Sequence, residues 1–166
     1  MQISRKVTEM KAIRTVCIFL TLLLALYPSD SQAQGKKKRK KIGAVVWKAR
    51  TYIGTPYRYG GNSKSGIDCS GLIQKCYAVI DVKLPRTAKE QSKIGSSKSW
   101  GSLRRGDIVY FKFKQKGEKW WHTGMISKVE KGEIKFIHAS TSRGVIESNL
   151  MSDYYKKNVK KFRRVI

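Results

Sequence analysis

The hydrophobic pattern changes period near Trp100, and that change constrains the fold more than any other feature of the chain. Before it, apolar residues recur at helical spacing: Ile42, Val45, Val46, Ala49 and Ile53 share one face. Gly54-Thr55-Pro56 stops that helix. A second helix is expected from Cys69 to Ile80, with Asp68 or Ser70 as its cap. Leu84-Pro85 breaks the chain, and a short third helix is expected over Thr87–Ile94, where Thr87-x-x-Glu90 fits a capping box. After Trp100 the pattern is that of strands, expected at 107–113, 122–129, 133–139, 144–150 and 161–166. Helices first and an antiparallel sheet of about five to six strands second is an α+β layout. Between the first two helices, residues 56–67 are rich in Gly and Ser and read as a loop.

The ends of the chain bear on where it works. Val16–Leu26 is an apolar run preceded by Lys11 and Arg14, and Ser31 and Ala33 offer small residues for cleavage. Residues 1–33 therefore read as a secretory signal, with export to the periplasm, cell envelope or medium expected; the run is short for a membrane span. Residues 34–41 read as a basic linker and 42–166 as one domain. The formal charge is +25. Residues 1–33 hold four basic and two acidic groups, so without them the charge falls by two, to +23. Two clusters dominate, Lys36–Lys41 and Lys156–Arg164. Behind an export signal such clusters suit anionic wall polymers or lipid headgroups rather than nucleic acid, although a solvated tail accounts for them equally well. A monomer is expected.

The three cysteines separate by position. Cys17 lies in the leader. Cys69 and Cys76 are seven residues apart on one expected helix, which puts their Cα atoms roughly 10 Å apart at 1.5 Å per residue. A disulfide needs less than about 7 Å, so the two thiols stay unpaired. Cys76 sits among Leu72, Ile73, Val79 and Ile80 and reads as a core residue. Cys69 stands at a helix start, where unpaired N–H groups favour a thiolate, and its own N–H is a candidate oxyanion donor. Tyr57, in the preceding loop, can add a hydroxyl. A simple buried thiol is the plain alternative.

A base for such a thiol has to be His122 or His138, the two histidines of the chain. A three-residue loop at 130–132 pairs residues whose numbers sum to 262. His138 then opposes Gly124 and both rings share one face, close enough to meet diagonally. A one-residue change in the loop puts them on opposite faces. In this scheme His122 takes the thiol proton and His138 orients it. Zinc is not expected, because the close ligand pairs of Cys/His zinc sites are absent; no other metal or cofactor is expected. Trp120-Trp121 reads as packing.

Six segments then carry a resemblance: Gly54-Thr55-Pro56-Tyr57-Arg58-Tyr59-Gly60-Gly61, Gly66-Ile67-Asp68-Cys69-Ser70-Gly71-Leu72, Leu84-Pro85-Arg86-Thr87, Gly106-Asp107-Ile108-Val109-Tyr110-Phe111, His122-Thr123-Gly124-Met125 and Phe136-Ile137-His138-Ala139-Ser140. In this order they resemble the NlpC/P60 family of cell-wall cysteine peptidases, a papain-like group, over roughly residues 42–166. Gly144-Val145-Ile146 is most similar to the single-domain, Spr-like murein endopeptidases. The resemblance implies a Cys69–His122–His138 triad, Tyr57 at the oxyanion site, substrate contacts from Asp68 and Ser70, and a peptidoglycan stem peptide as substrate. Thr123, Met125 and a longer spacer between the histidines depart from the family pattern. A papain-like acyltransferase or amidase, or a silent basic wall-binding protein, are the competing classes.

Overall fold

The computed structural model describes residues 30–115 and 117–166, so the leader reading of residues 1–33 lies almost wholly outside the described residues. Backbone contacts divide the chain into units 1–37 and 38–166. Everything described below about the site belongs to the second.

Helix α1 spans Asp30–Arg50. It starts earlier and ends earlier than expected, and it runs through residues 34–41, which were read as a linker. Gln, Lys, Arg and Ala are good helix formers, and no proline interrupts them. In the second unit α1 buries Val45, Val46 and Ala49 completely, the face the spacing marked out. A two-stranded ribbon follows, β1 (Asn62–Ser63) with β2 (Gly66–Ile67), inside the segment expected to be loop.

Helix α2 spans Cys69–Ala78 and begins where the cap chemistry placed it. Asp68 is its N-cap and accepts from the Gly71 N–H at 2.7 Å. Helix α3 is shorter than expected, Ala88–Gln91, with the Thr87 hydroxyl accepting from the Glu90 N–H and donating to the Glu90 carboxylate. Glu90 thus closes the first turn, but Gly95, at φ +80°, ends the segment a few residues on.

Six antiparallel strands form the sheet: β3 (Ser96–Lys98), β4 (Ile108–Gln115), β5 (Glu118–Glu130), β6 (Glu133–Ser140), β7 (Gly144–Asn149) and β8 (Val159–Arg164), ordered β3-β8-β4-β5-β6-β7. A short helix α4, Asp153–Lys156, precedes β8. The edge strand β3 is polar, Ser-Ser-Lys, and gave no hydrophobic alternation to read. Strand β5 begins four residues before the expected start, because Phe113 stacks on Trp120 across the β4–β5 pair at 5.7 Å.

Alternation along β4 divides the apolar interior between the two faces of the sheet. Ile108 and Tyr110 join α1 and α2 in one cluster, with Met125, Ile137 and Val145. Val109, Phe111 and Phe113 join Ile126, Phe136, Leu150 and Phe162 in the other. Cys69 belongs to the helix-covered cluster.

The β5–β6 register reaches the expected pairing by a different route. The turn holds two residues, Lys131-Gly132, since Glu130 pairs with Glu133; Val129 with Ile134 keeps that sum of 263. Gly132 takes φ +80°, the left-handed conformation such a tight turn needs. The register then shifts between Ile126 and Lys128, leaving Ser127 as a bulge, and Ile126 pairs with Phe136 and Met125 with Ile137. Those sums are 262. The short turn and the bulge cancel, and both histidines lie on one face.

Candidate active site

The site forms where the sheet splits. The pairing of β5 with β6 ends at Met125 and Ile137, while β5 continues along β4 through His122. Beyond that last pair the ladder stops, although Gly124 still packs closely against Phe136 and His138. The start of α2 approaches the gap from the helix-covered face, and Cys69 meets the backbone N–H of Thr123, the residue after His122. Gly71 permits the loop above to pack on this turn: a Cβ there would lie 2.6 Å from the Gly61 carbonyl oxygen.

Cys69 is 9% exposed. Its sulfur faces three backbone N–H groups, those of Thr123, Ser70 and Cys69 itself, and the neighbouring Asp68 carboxylate opposes charge there. The helix start was expected to lower the thiol pKa. Burial outweighs the donors, and the thiol is pushed up to about 11. The resting group is therefore a neutral thiol.

The histidines lie on the far face by register, since His122 pairs with Phe111 and His138 stacks on Phe136 at 4.6 Å. Their rings meet edge to face, and Nε2 of His122 lies 2.9 Å from Nδ1 of His138. Gly124 makes room for this: a Cβ there would come within 2.5 Å of the Phe136 ring and 3.0 Å of the His138 Cβ. Nε2 of His138 is held in turn by the Ser148 hydroxyl at 3.0 Å and the Tyr155 hydroxyl at 3.2 Å. Burial pushes His122 down to about 4, and burial, His122 and Arg143 push His138 down further. Both rings are neutral at neutral pH. Among the described residues no hydrogen bond joins either ring to Cys69, and Nδ1 of His122 has no protein partner.

On the other side of the thiol lies a cleft of about 600 Å³, bordered by Tyr57, Asp68, Ser70, Arg86, Trp120 and Trp121. The Tyr57 hydroxyl stays protonated, because burial and the nearby thiol raise its pKa. Asp68 is almost buried and fully engaged. Its oxygens take the N–H groups of Gly71 and Gly60, the Ser70 hydroxyl and both terminal nitrogens of Arg86, the shortest at 2.5 Å. These bonds, led by the Arg86 side chain, hold its pKa below the usual carboxylate value against the cost of burial. Arg86 also donates to Ser70 at 2.9 Å. Among the described residues no three His, Cys, Asp or Glu side chains gather as metal ligands.

The sequence reading missed Arg86, Ser148 and Tyr155. Arg86 stood within a motif of the resemblance but carried no role, and only its pairing with Asp68 reveals one. Ser148 and Tyr155 gave no signal, because their value lies in contacts made across the sheet.

Known proteins resemble the chain in sequence and in fold. The family model described as "NlpC/P60 family" matches residues 54–164. The chain is 39% identical over 158 residues to "Probable endopeptidase NlpC" of Escherichia coli K12, covering 92% of this chain and 99% of that one. It is 41% identical over 114 residues to "Murein DD-endopeptidase MepS/Murein LD-carboxypeptidase" of the same strain, covering 68% of this chain and 57% of that relative. A Staphylococcus aureus Mu50 crystal structure, described as similar to a lipoprotein of the NLP/P60 family, superposes with a TM-score of 0.65 at 29% identity, over 76% of this chain and 42% of that one. With its helix-borne thiol, split sheet and paired histidines, and with that match over two thirds of its length, the chain belongs to the NlpC/P60 family.

Proposed function

We propose that the protein is a peptidoglycan hydrolase, a cysteine endopeptidase that cuts amide bonds in murein stem peptides or their cross-links. The observation that carries the reading is the array running from Cys69 past the Thr123 backbone to the hydrogen-bonded His122–His138 pair. The relatives' names support the substrate class.

The hydrogen bonds dictate the protonation pattern. For His122 to act as a base its Nδ1 lone pair must be free, so Nε2 carries the proton and donates to Nδ1 of His138. His138 then carries its own proton on Nε2 and donates to Ser148 or Tyr155. A depressed pKa keeps His138 an acceptor, so it stabilises the imidazolium of His122 without taking its proton. Because thiol and imidazole both rest neutral, the proton moves from Sγ to Nδ1 as the sulfur attacks the carbonyl carbon. No hydrogen bond joins Cys69 to His122 among the described residues, so this transfer requires the two side chains to approach once substrate is bound. The Cys69 N–H and the Tyr57 hydroxyl receive the negative oxygen. His122 returns the proton to the leaving amine, and water releases the acyl group from Cys69.

Asp68 and Ser70 border the substrate cleft in this reading and hold Arg86 in it. Anionic wall polymers or lipid headgroups meet the basic clusters at 36–41 and 156–164, in a protein exported to the periplasm or envelope. No described helix is long and apolar enough to cross a membrane. The test is purified protein with a defined cross-linked muropeptide under reducing conditions. Cleaved stem peptides, identified by mass, support the reading; an unchanged substrate, or acyl transfer without hydrolysis, contradicts it.

A further inference from the structure

His138 is hydrogen-bonded at both ring nitrogens, but not by equal numbers of partners. Nδ1 meets one group, Nε2 of His122 at 2.9 Å. Nε2 meets two hydroxyls, that of Ser148 at 3.0 Å and that of Tyr155 at 3.2 Å. A neutral imidazole carries a single N–H, so one hydroxyl suffices to accept it. The two hydroxyls come from separate elements. Ser148 lies on β7 opposite Phe136, and so diagonal to His138 on the same face. Tyr155 lies on α4, its ring edge-on to Phe136 at 4.8 Å and to His138 at 5.4 Å. Among the described residues neither hydroxyl has another hydrogen-bond partner. The two rings can share their protons in two ways. In one, His122 donates from Nε2 and its Nδ1 is free to take a proton, while His138 keeps its own proton on Nε2. In the other, His138 donates from Nδ1 and the proton of His122 sits on Nδ1, so His122 is no base. The first arrangement needs an acceptor for the Nε2–H of His138, a residue only 2% exposed. The second puts a lone pair there, which costs less to leave bare than an N–H.

We propose that Ser148 and Tyr155 are positioning residues: interchangeable acceptors for the Nε2–H of His138 that hold the histidine pair in the tautomer in which His122 is a base. They act through His138 and touch neither the thiol nor the substrate. Either hydroxyl alone maintains the tautomer, and the loss of both releases it. The inference rests on the peptidase reading, and its test separates the two by reading the tautomer without turnover.

The full-length protein, its histidines labelled with nitrogen-15, is studied by NMR at neutral pH, where both rings are neutral. In the wild type, in Ser148→Val and in Tyr155→Phe, His138 carries its proton on Nε2. In the double variant that proton moves to Nδ1. Valine fills the place of the serine hydroxyl, so that no water substitutes for it. In turnover of the cross-linked muropeptide each single change lowers kcat about threefold. Together they lower it about fiftyfold, against about ninefold for independent losses, with KM changed by about twofold or less. Ser148→Thr restores a hydroxyl, so combined with Tyr155→Phe it returns kcat to that of Tyr155→Phe alone. If the double variant with valine does not fold, Ser148→Ala with Tyr155→Phe takes its place, with an expected loss of about twentyfold. A resting proton on Nδ1 of His138 in the wild type, its persistence on Nε2 in the double variant, or losses that merely multiply, overturns the proposal. The expected tautomers without any turnover by the wild type would instead count against the peptidase reading alone.

Discussion

Helix α2 carries two buried thiols two turns apart, and the surroundings of each differ in kind. Cys76 is fully buried in the helix-covered core, and desolvation pushes its thiol up to about 12. Cys69 is nearly as buried, yet its sulfur faces three N–H donors, a split in the sheet and an open cleft. Burial alone therefore does not make a thiol inert. Donors placed where negative charge would develop, beside an open cleft, are what the proposed nucleophile has and Cys76 lacks.

The largest expected effect comes from exchanging the two. Cys69→Ala should lower turnover of a cross-linked muropeptide by at least about a thousandfold. Cys76→Ala should leave turnover within a few-fold and cost about 1–2 kcal/mol of stability, read by denaturant unfolding. The next effect concerns the imidazoles. His122→Ala should cost about 10²–10⁴-fold in kcat/KM. His138→Asn, which keeps an acceptor near the position of Nδ1, should cost clearly less than His138→Ala.

The acid–base setting gives a third, smaller contrast. With the thiol near 11 and His122 near 4, iodoacetamide labelling of Cys69 should be slow at pH 6 and climb toward alkaline pH. A fast plateau near pH 5 would mean a resting thiolate–imidazolium pair instead. Turnover should hold from about pH 5 upward and fall as His122 protonates near pH 4. Folded-state histidine pKa values below the unfolded 6.5 mean that the unfolded chain binds more protons in between. Stability is therefore intact above pH 6.5 and is lost as pH falls toward 4, and the melting temperature should follow. The smallest effect is that of Tyr57→Phe, about tenfold in kcat with little change in KM, if its hydroxyl meets only the transition state.

The start of α2 was legible because Asp68 and the apolar positions after it are local signals, and Cys69 follows from that cap. The hairpin was legible in outcome and not in mechanism. Its register includes a bulge at Ser127, which no pattern in Ile-Ser-Lys-Val announces and which offsets a turn one residue shorter than expected. Deleting Ser127 removes the bulge and leaves Ile126 opposite Phe136 and Lys128 opposite Lys135 across the same two-residue turn, so the histidine pair and turnover should survive the deletion. The polar strand Ser96–Lys98 was invisible because it buries nothing apolar. The raised Cys69 thiol was misjudged because a helix start is visible in sequence, whereas the depth at which the sulfur lies is a property of the packed sheet.

The central claim is that peptide hydrolysis passes through an acyl group on Cys69. A stem peptide with an activated leaving group makes deacylation limiting, and acid quenching followed by mass mapping locates the adduct. The account predicts the acyl mass on the fragment containing Cys69 and none on Cys76 when the helix is cut between them. Turnover of that peptide with no adduct on Cys69, or with the adduct elsewhere, would contradict it.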